Sequence, residues 1–534
     1  MRALSAVLLL VFLGNAALLA QDVLTWHNNN ARTGVYADEK ILTVQNVNAK
    51  TFGKLFVIRV DGKVDAEPLY VENLEIPKQG KRNVLFVATE HDSVYAFDAD
   101  HGEEFWHVRL LPAGESPSDD LNCPQVTPEI GITSTPVIDR ERGAHGVLYA
   151  VAMSKTAGGK YLQRLHALDL ETGGEALGGP AEIHATFPGT GAASHDGTEI
   201  FDGRQYEERA ALVLRNDVVY TTWSSHCDHN PYNGWVIGYD ADTLKQATAL
   251  NFTPNGEEGS VWQSGAGPAV DEDGFLYVMA ANGTFDMALD ANGLPSRGDY
   301  GNSFLKLSTV EHHLAIRDYF TMFDVVQENA DDMDLGAGGP VVLPPMYDAA
   351  GTIRRLVVGA GKDRNIYLLD RDAMGKFNPK GNQNIYQEIE KALKGVRYRG
   401  APVYFDGGLY FGSVDDCIRE FRFVNARLLP DPVSRTTTVF VYPGAMPSVS
   451  ADGTQNGILW AVDNKNPAVL HAYDARDLAH ELYNSEDAAA GRDRFGHGNK
   501  FITPMIAHGK VYVGTTDGVG VFGLLPASAA SKAN

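Results

Sequence analysis

A short strand opening on small residues and proline returns seven times in this chain: DAEPLYV at Pro68, TSTPVID at Pro136, GAGPAVD at Pro268, AGGPVVL at Pro340, RGAPVYF at Pro402, GAMPSVS at Pro447 and FITPMIA at Pro504. An eighth place, AALVLRN around Leu212, has the spacing without the proline. A second apolar strand follows each one (VLFVAT, VLYAVA, VVYTTW, FLYVMA, RLVVGA, GLYFGS, ILWAVD and KVYVGT), and several third strands end on an aspartate turn, as in VYAFDADHGEEFW and LHALDLETGG. Proline has no N–H and suits the first residue of a strand whose ladder does not need that donor, while aspartate and glycine make the tight turn to the next strand. Units of roughly 45 to 70 residues are the size of four-stranded propeller blades, and closing them into a ring removes exposed sheet edges. An array of β-sandwiches would not repeat this unit so regularly. The pattern predicts an all-β, eight-bladed propeller of four-stranded antiparallel blades, a single domain over residues 21–526. Its last unit, KVYVGTTDGVGVFGLL, has no outer strand, so the unassigned FGKLFVIRV at residues 52–60 is predicted to supply it and close the ring.

The first twenty residues carry Arg2, an apolar run from Leu4 to Leu13 and small residues at Ala16, Ala17 and Ala20. That is the pattern of a secretory signal peptide over residues 1–20, and it falls short of a membrane span. The expectation is an exported protein, periplasmic or extracellular, with no membrane span and a loose tail at residues 527–534. A net charge of −23 argues against nucleic acid as a partner, because the overall field repels a polyanion. Three cysteines, Cys123, Cys227 and Cys417, are too few for a disulfide scaffold. Cys123 and Cys227 both fall in loops next to inner strands, so either a bridge in an oxidising compartment or two buried thiols fits them; Cys417 reads as a packed core residue. His226 and His229 flank Cys227 and Asp228 but lack a fourth ligand at zinc spacing. No CxxCH occurs, so covalent haem is not expected.

VYAFDADHGEEFW resembles the tryptophan-docking repeat of the pyrroloquinoline quinone (PQQ) dehydrogenases, a repeat that carries the fold and not the chemistry. The stretch GSVWQSGAGPAVDEDGFLYVMAANGTFD is similar to the quinoprotein segment in which a tryptophan supports the cofactor plane and an asparagine follows beside it, which places those roles on Trp262 and Asn282. NADDMDLGAGG resembles the segment that ends in the family's catalytic aspartate, here Asp334, and LVVGAGKDRNIYLLDRD resembles the one whose lysine or arginine touches the quinone oxygens, here Lys362. HCDHNPYNGWVIGYD resembles the blade that gives calcium a glutamate; that glutamate is absent and Asp228 takes its place. DAEPLYV implies an acidic residue near the cofactor, Asp65. The family's adjacent cysteine pair is missing, with Cys123 alone near that place, and its arginine is absent, with Glu129 nearby.

On this resemblance Trp262 gives a flat apolar floor to a flat quinone. Asp228, the Asn282 amide oxygen and Asp334 supply oxygen ligands of the kind calcium takes, Asp334 acts as general base toward a substrate hydroxyl, and Lys362 stabilises negative charge on the quinone oxygen. Each residue also has a plainer reading. Trp262 fits a core aromatic, Asn282 a strand-end turn, the DDMD run an exposed acidic loop and Lys362 a solvated turn residue. Two functions follow. One is a PQQ- and calcium-dependent oxidoreductase acting on an alcohol, aldehyde or sugar hydroxyl and passing electrons to an external acceptor. The other is a non-catalytic propeller that binds a carbohydrate, a peptide or an assembly partner.

Overall fold

The proline-led segments are the inner strands of a β-propeller. The computed structural model describes residues 22–526, so the signal peptide over residues 1–20 and the tail over residues 527–534 lie outside the described residues. Among the described residues, no helix is long and apolar enough to cross a membrane. Eight sheets of four or more strands succeed one another along the described residues. Their inner strands are Leu69–Ile76, Val137–Asp139, Val213–Arg215, Ala269–Val270, Val341–Val342, Val403–Phe405, Ser448–Asp452 and Met505–Ala507. Each of the seven prolines stands immediately before its strand, where the ladder does not call on its missing N–H. The third strands end on Asp98, Asp169, Asp240, Asp370 and Asp474. In each of these turns a carboxylate oxygen accepts the backbone N–H two residues on, for example Asp100 N at 2.8 Å from Asp98 and Arg476 N at 2.9 Å from Asp474.

The exceptional repeat has a physical reason. The Leu212 N–H donates to the Thr135 carbonyl at 3.0 Å and ties the third sheet to the second. A proline there would forfeit that bond. Leu212→Pro should therefore destabilise the fold by about 1–3 kcal/mol more than Leu212→Ala, which removes only the buried side chain; urea denaturation of the two variants reads the difference.

The ring closes as the sequence pattern predicts: Phe52–Arg59 pairs antiparallel with Gly518–Leu524 and becomes the outer strand of the eighth sheet. Five of the eight sheets exceed four strands. The additions are mostly two or three residues long, such as Val35–Tyr36 parallel to Ser448–Asp452 and Lys376–Phe377 parallel to Ala315–Thr321. Pegs join neighbouring sheets. A side chain from one sheet donates to the carbonyl just after the turn aspartate of the next, as from Tyr512 to Ala99 (3.0 Å), Trp106 to Leu170 (3.0 Å), Tyr149 to Ala241 (2.7 Å) and Tyr410 to Ala475 (2.7 Å).

The segment ahead of the closing strand was not foreseen from the sequence. It runs round the inside of the ring and bonds the sheets in order. Val23 exchanges two backbone bonds with Tyr70 of the first sheet, and the Leu24 carbonyl accepts from Ile138 of the second. Asn30 donates to Leu214 of the third and accepts from Val270 of the fourth. Ala31, Thr33 and Gly34 accept from Val342, Tyr404 and Val449, and the Glu39 carboxylate accepts from Gly509 of the eighth. Arg32 sits fully buried in this turn and donates to Thr25 Oγ1 and to the carbonyls of Trp26, Leu212 and Pro268.

Burial here leaves a titration signature. It raises the Glu67 carboxyl to about 8 and the Asp363 carboxyl to about 6, so both hold a proton in the folded chain where the unfolded chain has lost it. Their contribution is complete at acid pH, below the ordinary carboxylate range, and is lost as pH rises through those values. Burial lowers the His27 imidazole to about 3 and His226 to about 4, so their contribution is complete above the ordinary histidine value and is lost as pH falls. The melting temperature should peak at mildly acidic pH and fall toward about pH 8, which calorimetry at a series of pH values checks.

Candidate functional site

Inner strands start at one end of the ring and second strands return to it, so loops at that end collect residues from distant parts of the sequence. There a cavity of ≈ 270 Å³ is lined by Trp262, Asp334 and Lys362, by Cys227 and Asp228, and by Arg209, Arg399, Phe501, Gln125, Ser264, Asp332 and Ala337. Trp262, Arg209, Asp334, Arg399 and Phe501 lie on connections entering inner strands; Cys227, Asp228 and Lys362 follow second strands. A more apolar recess of ≈ 420 Å³, lined in part by Ala31, Val35, Leu343 and Tyr404, lies beside the buried N-terminal segment. It holds none of the residues singled out from the sequence.

Asp334 and Lys362 form a buried ion pair. The other Asp334 oxygen accepts the Asn282 backbone N–H at 2.8 Å, and Lys362 Nζ also lies 2.6 Å from Asp332, which Arg397 holds from its far side at 2.5 Å. Burial raises the Asp334 carboxyl, with Lys362 working against the rise. For Asp332 burial acts upward too, but Lys362 and Arg397 hold the carboxyl below its ordinary value. Asp334 is thus a buried carboxylate kept in place by one lysine, facing a small cavity, as a proton acceptor requires.

The other residues predicted from the sequence fall around this centre in different ways. Cys123 and Cys227 are joined in a disulfide, Cα–Cα 5.4 Å, which fastens the Asp228 loop to the loop that carries Gln125; Cys417 is free and buried. Asp228 lies at the mouth and accepts from the Tyr232 hydroxyl at 2.9 Å. Asn282 borders the site without lining the cavity: its Oδ1 accepts from Asn302 at 3.1 Å, and its Nδ2 faces Asp332 at 3.4 Å. Asp65 is at the same end but outside the cavity lining. Buried against Glu90 and Asn499, its carboxyl is raised by burial, and the Glu90 carboxyl is raised further by burial and by Asp65 itself. Two carboxyls so placed share a proton in preference to holding two charges. Glu129 pairs with His91 at 2.9 Å, outside the cavity lining.

A flat quinone acid fits some of this. Trp262 offers an aromatic face to the cavity and Lys362 a cation beside Asp334, although the Arg209 guanidinium carbon also stands 5.3 Å from the indole centroid. The oxygens proposed for calcium fit less well. Asp228, Asn282 and Asp334 are each engaged by a hydrogen-bond donor within the protein. Among the described residues, no three histidine, cysteine, aspartate or glutamate side chains gather as a metal site.

Arg209, Arg399 and Phe501 were missed from the sequence, yet a signal was there. Each stands three residues before the repeat's proline or, for Arg209, before Leu212, the register that also holds Asp65 and Ala337. In four of the eight repeats, at Arg209, Ala337, Arg399 and Phe501, that position lines the cavity.

No family model and no curated protein matches the chain. Solved structures do. The quinohemoprotein alcohol dehydrogenase of Comamonas testosteroni superposes with a TM-score of 0.60 at 14% identity, over 94% of this chain and 80% of that one. A quinohemoprotein alcohol dehydrogenase of Pseudomonas putida HK5 does so with a TM-score of 0.59, also at 14% identity and over 94% and 80% of the two chains. The chain has the propeller fold of these quinoproteins.

Proposed function

We propose that this protein is an oxidoreductase of the quinoprotein type, exported, which oxidises the hydroxyl or aldehyde of a small molecule and passes the electrons to a separate acceptor. The observation that carries this reading is the meeting of Trp262, Asp334 and Lys362, from three separate loops, in one cavity at one end of the ring. A PQQ-like quinone, when bound, supplies the two-electron sink that protein side chains lack. Trp262 would support its plane and Lys362 its oxygens. Asp334 takes the substrate hydroxyl proton on a carboxylate lone pair that the Lys362 and Asn282 contacts leave free, and the buried surroundings keep water from competing for it. No step is assigned to calcium, because the three candidate ligands are already engaged within the protein.

The test is to incubate the purified protein with PQQ, with and without calcium, and to follow quinone absorbance and dye-linked oxidation of a panel of alcohols, aldehydes and sugars. Retained quinone with substrate-dependent dye reduction supports the proposal. Absence of bound quinone under both conditions overturns it in favour of a non-catalytic binding propeller, the reading that the guanidinium against Trp262 favours.

A further inference from the structure

Two arginines of the cavity have nitrogens with no acceptor among the described residues. Arg209 is 5% exposed, its guanidinium carbon 5.3 Å from the Trp262 ring and 5.2 Å from the Phe501 ring, and its Nε and Nη2 are buried without a hydrogen-bond partner. Glu207 comes only to 3.7 Å, beyond hydrogen-bond reach, and its carboxyl is pushed up by burial, toward the neutral form. His226, also near Glu207, is held neutral by burial and adds no second cation there. Arg399 Nε is likewise buried without an acceptor, its guanidinium carbon lying 5.4 Å from the Tyr442 ring. The remaining charges of the cavity are already engaged: Lys362 by Asp332 and Asp334, and Asp228 by a Tyr232 hydrogen bond.

A buried guanidinium presents a rigid fork of donors, and leaving such donors unmet is expensive. A planar oxyanion on the ligand would meet them, and a carboxylate matches that fork in shape as well as charge. Aromatic rings on Arg209 and Arg399 hold the two guanidinium groups in place before any ligand arrives, which reduces the ordering cost of binding.

We infer that the ligand this cavity selects carries a carboxylate, received by Arg209 and Arg399, so that its small-molecule class is an organic acid such as a hydroxy acid and not a neutral alcohol. The carboxylate is that of the substrate. The inference goes beyond the redox reading, since recognition of the acid needs no electron transfer.

Calorimetric titration of the protein with lactate and with propane-1,2-diol, its neutral counterpart, tests this without any cofactor. Lactate should bind and the diol should not, and Arg209→Gln or Arg399→Gln should each weaken lactate about tenfold or more, the loss of one charge-assisted bond. Arg399→Gln, at the less buried position, and a melting curve for each variant guard against misfolding being read as lost recognition. Repeating the titration after saturation with PQQ adds a second arm: lactate binding that survives supports a substrate carboxylate, and binding that is lost places lactate in the quinone's seat and overturns the inference. Equal binding of lactate and diol, no lactate binding at millimolar concentration, or unchanged affinity in the folded Arg399→Gln variant would overturn the inference. Failure to bind PQQ while lactate still binds would remove the oxidoreductase proposal and leave this one standing.

Discussion

Phe52→Ala should cost about 3–5 kcal/mol of folding stability, the range for truncating a buried aromatic that leaves a cavity. Phe52 is the first residue of the strand that closes the ring, paired with Leu524, and it is fully buried. Its ring lies 4.9 Å from Tyr483, edge on, 5.3 Å from Trp460 and 6.4 Å from Phe522, so one side chain joins the closing strand to the seventh and eighth sheets at once. Phe56, on the same strand but only partly buried, is the comparison, and Phe56→Ala should cost clearly less. Guanidinium denaturation measures both. A loss under about 1 kcal/mol at Phe52 would mean that its ring does not hold the closing strand to the seventh and eighth sheets.

Asp334→Asn should lower dye-linked turnover by about 10²–10⁴-fold, the contribution of a positioned general base. The asparagine keeps an oxygen for the Asn282 N–H but turns an NH2 toward Lys362, which is left with Asp332 alone, so the melting temperature should fall and turnover is compared at a temperature where the variant is folded. The loss belongs in kcat and in kcat/KM together, because the proton is taken only as the reaction proceeds. The pH profile gives a second reading. Since burial raises the Asp334 carboxyl, the acid limb of kcat/KM should lie above the ordinary carboxylate range, activity appearing as the pH rises through it. Full activity in a folded Asp334→Asn variant removes Asp334 from the chemistry.

The architecture was legible because its signal is local and repeated. Proline marks the start of an inner strand through a missing donor, aspartate marks the turn through its side-chain bonds to the backbone, and both recur often enough to outweigh any single irregular repeat. The closing strand was legible by subtraction, as an apolar strand without a unit beside a unit without a strand. The two-residue strands were not, because Val35–Tyr36 and Lys376–Phe377 exist only through the partners that tertiary packing brings to them. The course of the N-terminal segment was hidden for the same reason: its bonds run from single backbone groups, and from the Asn30 and Glu39 side chains, to eight different sheets and leave no periodicity. At the site, resemblance found Trp262, Asp334 and Lys362 but passed over Arg209 and Arg399, which only the register three residues before the proline reveals.

The route of the N-terminal segment also sets the order in which this molecule can be assembled. Glu39 and Gly509, 470 residues apart, meet in the finished structure, so the first part of the chain has no complete set of partners until the last sheet exists. Contacts of such separation are slow to form, because the loop must be closed before the contact returns any stability. Until then the eighth sheet lacks its outer strand and shows a bare strand edge, the kind of surface that recruits other unfinished chains. Folding of this protein is therefore most exposed to aggregation at its final step, when Phe52–Arg59 has yet to meet Gly518–Leu524.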